Sequence, residues 1–136
     1  MRLNKTTQYA IRILSYIESK TINKYNASIL SKELDIPYKF LTKLMTILVK
    51  ANMIKSIRGR DGGYILAKEA KEIKIIDILT LFDDTISDNE CILGIGLCDN
   101  TNHCALHNQW LEPKSLIDDM FYNTSLESLI KDGDKV

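Results

Sequence analysis

The sequence predicts a mainly α protein carrying one small β-hairpin, and three observations predict it. Apolar residues recur at helical spacing along most of the chain, first at Tyr9, Ala10, Ile13, Leu14 and Ile17. Two short strand-like runs, Met53–Ile57 and Tyr64–Ala67, flank a single glycine-rich turn. The charge is divided: residues 1–74 hold fifteen basic and six acidic side chains, and residues 75–136 hold three and twelve. Values of +9 and −9 cancel to the chain's formal net charge of zero. Such a split points to two jobs in one chain and makes the first part the candidate for a polyanion partner.

The bulk numbers bound the class. A length of 136 residues fits one domain, or one small domain with an appendage. With 45% hydrophobic and 26% charged residues the composition is that of a folded protein, not a disordered one. The divided charge excludes a uniformly basic coat protein and a uniformly acidic tail. The opening Met1-Arg2-Leu3-Asn4-Lys5 lacks the apolar core of a signal peptide. No apolar run approaches the roughly 20 residues that span a bilayer, so a cytoplasmic protein with no membrane partner is expected.

Each element has its own reason. Helical spacing runs uninterrupted from about Leu3 to Ser19, and Thr21–Asn26 reads as a loop. A short helix follows, with Asn26 or Ser28 as N-cap and Ile29, Leu30 and Leu34 apolar. Pro37 suits the first position of the next helix, where its missing N–H costs nothing. That helix, about Pro37–Ala51, is expected to bury Phe40, Leu41, Leu44, Ile47 and Leu48. Lys39, Thr42, Lys43, Thr46 and Lys50 fall opposite, a polar face without a carboxylate. A lysine-rich solvated face is the plain alternative for it.

The hairpin turn is Arg58-Gly59-Arg60-Asp61-Gly62-Gly63, in which Asp-Gly supplies residues that tolerate positive φ. Three helices followed by a basic-tipped hairpin is the order of a winged helix-turn-helix. There the second helix of the pair enters the DNA major groove and the wing grips the flanking backbone. Lys50, Lys55 and Arg60 are the candidate phosphate contacts, and Lys39, Thr42 and Lys43 the candidates for base edges.

The acidic part opens with a helix over about Ile73–Asp84, burying Ile75, Ile76, Ile78, Leu79, Leu81 and Phe82. Thr85–Asn102 reads as a loop. Another helix covers about Cys104–Tyr122, with Leu106, Trp110, Leu116, Ile117, Met120 and Phe121 apolar. Pro113 inside it predicts a kink or break near Leu111-Glu112. The run Thr124-Ser125-Leu126-Glu127 has a capping-box pattern ahead of a last helix, Leu126–Lys131.

The chemistry concentrates in Cys91, Cys98 and Cys104, an odd number of cysteines within fourteen residues. In a cytosolic setting that argues for metal or redox chemistry before a disulfide framework. Cys104 and His107 share a face of a helical turn, which makes His107 a better fourth ligand than His103. Three thiolates and an imidazole suit a structural zinc or an iron–sulfur cluster. The gaps of six and five residues are wide for zinc, and the apolar Ile92, Leu93, Ile95 and Leu97 favour a shielded cluster. Three buried structural thiols are the remaining alternative.

Together these residues resemble the Rrf-two family of bacterial transcription regulators, with its IscR and NsrR branches. The likeness lies in Met1-Arg2-Leu3 with Tyr9-Ala10, in Pro37-Tyr38-Lys39-Phe40-Leu41, and in the wing Ile57-Arg58-Gly59-Arg60-Asp61-Gly62-Gly63-Tyr64. The three-cysteine loop with Cys104, His107 and Trp110, and the ending Asn123-Thr124-Ser125-Leu126, complete it. The resemblance implies a homodimer on double-stranded DNA with a pseudo-palindromic operator, joined by a C-terminal dimerisation helix. It implies a winged helix-turn-helix over residues 1–74, and over 75–136 a cysteine-rich cluster loop with dimerisation helices. It matches Lys39, Thr42 and Lys43 to recognition-helix positions and Arg58 to a minor-groove wing arginine. It matches Cys91, Cys98 and Cys104 to cluster cysteines and His107 to the ligand of the branch holding a two-iron cluster, so 2Fe-2S is favoured over 4Fe-4S. Gln8 departs from the nitric-oxide branch, which has a carboxylate there, and the first cysteine gap is one residue longer than usual.

The expected function is a transcription regulator sensing iron, oxygen, nitric oxide or redox state. Two rivals stand beside it. One is a metal-free thiol sensor in which Cys98 and Cys104 form a disulfide; the other is a zinc-stabilised protein-interaction module. An enzyme is not expected, because no nucleophile–base pairing or nucleotide-binding glycine motif is present.

Overall fold

The computed structural model describes residues 2–19, 25–86, 90–99, 101, 103–131 and 136. The expected loop over Thr21–Asn26 lies mostly outside the described residues, as do parts of the loop 85–102. The order is α1 (Lys5–Ser19), α2 (Ala27–Leu34), α3 (Tyr38–Lys50), β1 (Ile54–Ile57), β2 (Gly63–Leu66), α4 (Ile75–Leu81), α5 (His107–Asn123) and α6 (Leu126–Lys131). A 3-10 turn over Ala70–Glu72, invisible in the hydropathy pattern, sits between β2 and α4.

Asn4 starts α1, its side chain accepting from the Thr7 N–H at 2.9 Å. Of the two candidate caps for α2, Asn26 is the one used, accepting from Ile29 N at 2.9 Å. Asp35 ends α2 in the left-handed region at φ 51°, and Ile36, buried at the elbow, leads into Pro37 and α3. Arg12 reaches across from α1 to the Leu34 carbonyl at 2.7 Å, fixing the angle of the helix pair.

The core of α3 is rotated from the expectation. Leu41, Leu44, Met45 and Leu48 are buried, whereas Ile47 is 37% exposed. Both sets fit a helical stripe, but only Leu41, Leu44, Met45 and Leu48 face α1, α2 and β1 together. Phe40 lies at the rim, edge-on to Tyr9 with ring centroids 5.7 Å apart.

The hairpin pairs Ile54 with Leu66, Lys55 with Ile65, Ser56 with Tyr64 and Ile57 with Gly63. Its turn differs from the expected chemistry. Gly59 takes the positive φ, 119°, while Gly62 is required for space. A Cβ on Gly62 would collide with the Ile57 carbonyl oxygen and stand 2.9 Å from that of Gly59.

One hydrophobic cluster runs across residue 74, joining α1, α2 and α3 to Ile75, Ile78, Leu79 and Leu126. Two backbone bonds pin α6 to the start of α4: Ile75 N to Thr124 O at 3.0 Å, and Leu126 N to Ile73 O at 2.8 Å. The cap of α6 is Ser125, which exchanges hydrogen bonds with Ser128 at 3.0 and 3.2 Å, rather than the Thr124–Glu127 box. The Thr124 hydroxyl instead donates back to Met120 O at 2.7 Å.

The expected break in α5 is absent, since the helix continues through Pro113. Proline there leaves the Gln109 carbonyl without its helical partner. Both residues are exposed, so water can take that bond, and the interruption is tolerated.

Candidate nucleic-acid interface and thiol–imidazole centre

The basic face forms as the sequence predicts. Lys39, Lys43, Thr46 and Lys50 are exposed on α3 and Thr42 is half-buried, with no carboxylate anywhere on the helix. The helix ends at Ala51, and Asn52 in the left-handed region (φ 56°) turns the chain into β1. Face and hairpin are thus joined by a three-residue connection, and Lys55, Arg58 and Arg60 are exposed on the wing. Arg12 belongs to the fold instead, bonded to Leu34. Three exposed groups on α3 escaped the sequence reading: Tyr38 at its first position, Ile47 one turn beyond Lys43, and Val49 next to its last residue. Ile47 was hidden by its residue type; its spacing from Lys43 and Lys50 could have placed it on the polar face.

The second site is built where the acidic loop meets α5. Glu90 and Leu97 form an antiparallel bridge, and Cys91 N bonds to Gly96 O at 3.0 Å. Gly94 and Gly96, at φ 70° and 112°, make this tight return possible. The turn buries Cys91 and lifts Ile92, Leu93, Ile95 and Leu97 into solvent, so these apolar side chains do not shield the thiols within one subunit. His107, the first residue of α5, is 4% exposed, and its Nδ1 stands 3.2 Å from Cys98 Sγ. Backbone N–H groups of Ile95 and Leu93, and then the Cys104 thiol, hold the Cys91 thiol below its ordinary range by favouring the thiolate.

Of the four candidate ligands, Cys98 and His107 are in direct contact, while the Cys104 thiol acts on Cys91 as one of the groups that favour its thiolate. All three thiols are free, and among the described residues no three His, Cys, Asp or Glu side chains stand in a metal-holding group. His103 is exposed, and its ring lies tilted by 43° against that of His107 with centroids 4.6 Å apart. A cleft of about 410 Å³ flanks Cys98 and His107, with Glu90, Asp99, Asp118 and Asp119 on its walls. Lys114 in the same wall pairs with Asp118 at 2.8 Å. This surface carries four of the twelve acidic side chains of the second part and does not favour phosphate.

Around α5 much apolar surface is exposed: Leu111, Leu116, Met120 and Tyr122 are all close to half exposed or more. An apolar cleft of about 430 Å³ opens beside it, lined by Leu3, Ile11, Ile75, Phe121 and Leu129. No helix among the described residues is long and apolar enough to cross a membrane.

Comparison with known proteins places the whole arrangement. Residues 3–132 match the Rrf2 family model, described as an iron-dependent transcriptional regulator. The chain belongs to the Rrf2 family. Members of this family are DNA-binding transcription regulators rather than enzymes, and they generally act as dimers. A proposed HTH-type regulator of Aquifex aeolicus is 34% identical over 99% of this chain and 95% of its own length. The regulator IscR of Vibrio campbellii is 29% identical, covering 98% of this chain and 80% of that protein. Among solved structures, CymR, the global cysteine regulator of B. subtilis, superposes with a TM-score of 0.82 at 22% identity, covering 98% and 99% of the two chains. IscR of T. potens gives 0.76 at 20% identity, covering 98% and 89%. At those identities the structures attest the Rrf2 fold, a small antiparallel wing on a helical body, and not the ligand.

Proposed function

We propose that this Rrf2 protein is a dimeric DNA-binding regulator governed by an iron–sulfur cluster held by Cys91, Cys98, Cys104 and His107. The observation that carries the sensing role is the 3.2 Å contact of Cys98 Sγ with His107 Nδ1. Three thiols and one imidazole, supplied by the glycine-turned loop, Cys104 and the first residue of α5, are the soft donor set that iron–sulfur chemistry requires, and one histidine among them favours a two-iron cluster. A cluster bound there would supply a redox-active, oxidant-labile link between the loop and α5. The chain's own residues do the rest: Gly94 and Gly96 fold the loop back on Cys91, and His107 ties the site to the first turn of α5.

In the same reading residues 1–74 contact DNA and residues 75–136 sense and dimerise. Lys39, Thr42, Lys43 and Thr46 face base edges, Lys50, Lys55 and Arg60 neutralise phosphates, and Arg58 reaches the minor groove from the wing. A second copy covers the exposed apolar side of α5, and the two reading heads address a pseudo-palindromic site.

Anaerobic purification with iron and sulfide analysis and a visible spectrum tests the sensing half. Coloured protein with stoichiometric iron and sulfide, and operator affinity that changes on cluster loss, is expected. Colourless protein containing zinc would overturn it.

One observation favours a second reading, a metal-free thiol sensor. The Cys91 thiol is held toward its thiolate with Cys104 among the causes, so Cys91 with Cys104 is an alternative to the Cys98–Cys104 bridge of the sequence reading. Hydrogen peroxide would take two electrons and two protons from that pair, leaving an S–S bond and two waters. Iron-free protein whose DNA affinity changes with peroxide, with Cys91 and Cys104 linked in a peptide map, would select it.

A further inference from the structure

Beside α3 stands a basic cluster on α1, outside the helix face and wing described above. The Lys5 ammonium lies 5.7 Å from the centroid of the Tyr9 ring, and the Arg12 guanidinium 5.8 Å from the same centroid. The π-face of the ring holds a cation without neutralising it. Among the described residues neither Lys5 nor Arg12 forms an ion pair. The acids closest to their contacts do not pair with them. Asp84 accepts from the Asn4 N–H at 2.8 Å, Glu33 from the Tyr16 hydroxyl at 3.4 Å, and Asp35 is exposed. Two like charges around one ring, with no carboxylate bonded to either, favour an anion between them and solvent. Arg12 is tied to the Leu34 carbonyl at 2.7 Å, which leaves the exposed Lys5 as the cation able to meet a ligand.

The same ring fixes where this charge stands. Tyr9 packs edge-on against Phe40 with ring centroids 5.7 Å apart. Phe40 lies one helical turn from Lys43, at the rim of the polar face of α3. Two steps of 5.7 Å keep Lys5 Nζ within about 11 Å of the Phe40 ring. A major groove is about 12 Å wide and is bounded on either side by a phosphate strand. A cation that far from the rim of a helix lying in the groove stands over the bounding strand, not over the bases.

We infer that Lys5 binds a backbone phosphate on the strand flanking the groove that α3 enters, with the Tyr9 ring as its positioning residue. This rests on the proposed entry of α3 into the major groove. The DNA surface then extends from α3 and the wing onto α1, and Lys5 joins the residues that set affinity and register without reading sequence.

The test uses the full-length chain, purified anaerobically, to enrich a short duplex from a randomised pool. Each phosphate of that duplex is then replaced in turn by an uncharged methylphosphonate, and affinity is measured at several salt concentrations. Lys5→Ala is expected to lower the salt slope by about 1 per subunit, with Lys5→Arg restoring it. One phosphate per half-site, on the flanking strand, should cost wild type affinity when replaced and cost Lys5→Ala nothing further. Tyr9→Leu should lose that phosphate's contribution while the others persist, and Tyr9→Phe, which keeps the ring, should retain it. A wild-type slope in Lys5→Ala, or a lowered slope with no single phosphate responsible, overturns the assigned contact. An undiminished contribution in Tyr9→Leu overturns the positioning role of the ring. Wild type that enriches no duplex overturns the major-groove reading itself, so the failures are distinguishable.

Discussion

Cys98 Sγ and His107 Nδ1 stand 3.2 Å apart across nine residues of sequence, and that contact brings the acidic loop to the first turn of α5. His107 is held there by burial and by its N–H, which donates to the Cys104 carbonyl at 3.1 Å. Removing either partner should therefore act on the site and not on the core. Cys98→Ala is expected to abolish the visible absorption of anaerobic protein and change operator affinity. His107→Cys, which replaces one soft donor by another, should retain iron with a shifted spectrum. Iron content and spectra of the two variants check this; an unchanged operator footprint after cluster loss in Cys98→Ala would make the cluster passive.

Under the proposed function, Lys50 serves affinity and Thr42 discrimination. Lys50→Ala is expected to weaken binding to specific and random duplexes alike and to reduce the salt slope by about 1. Thr42→Ala should leave random-duplex binding intact and lower the preference for the specific site by about 1 kcal/mol. Titrations of both duplexes at several salt concentrations decide it, and equal losses for both variants would refute the division.

Gly62 makes the wing sensitive to a single carbon. Gly62→Ala drives a Cβ into the Ile57 carbonyl, a backbone atom that cannot yield without moving the strand. A loss of about 1–3 kcal/mol is expected, with weaker DNA binding because Arg58 and Arg60 are displaced. Thermal unfolding should show Tm lowered by several degrees.

Pro113 offers the opposite sign. Since α5 runs through it, Pro113→Ala restores a hydrogen bond to the Gln109 carbonyl and should stabilise the protein by about 1–3 kcal/mol. Chemical denaturation measures the gain; a loss would mean that the helix needs the interruption.

The elements most legible in the sequence were those whose local signals agree with their surroundings. Asn26 caps α2, Pro37 stands just before α3 rather than first in it, and Arg58–Gly63 turns the wing with Gly59 rather than Asp-Gly taking the positive φ; caps and turns are decided within a few residues. What packing decides was less legible. Ile47 and Met45 are both apolar and both fit a helical stripe, and only the position of α1, α2 and β1 turns Met45 in and Ile47 out. Ser125 and Ser128 cap α6 in place of the Thr124–Glu127 box because Thr124 lends its N–H and hydroxyl to Met120 and its carbonyl to Ile75. At the site, spacing named the four candidate ligands, yet the contact of Cys98 with His107 depends on the Glu90–Leu97 return.

The two backbone bonds that join residues 73–75 to residues 124–126 give α5 a mechanical character. Its seventeen residues form a rod of about 25 Å, clamped at the Asn123 end and carrying His107 at the other. Near the clamp lies the body that supports the wing and α3; at the far tip lies the thiol–imidazole pair. A tilt of about 5° displaces the tip of such a rod by about 2 Å, comparable with the difference between a bonded and a broken contact at Cys98. A change of about 2 Å at the thiol–imidazole tip thus corresponds to a tilt of about 5° along α5, and under the proposed function the stiffness of that helix matters to the response as much as the ligands do.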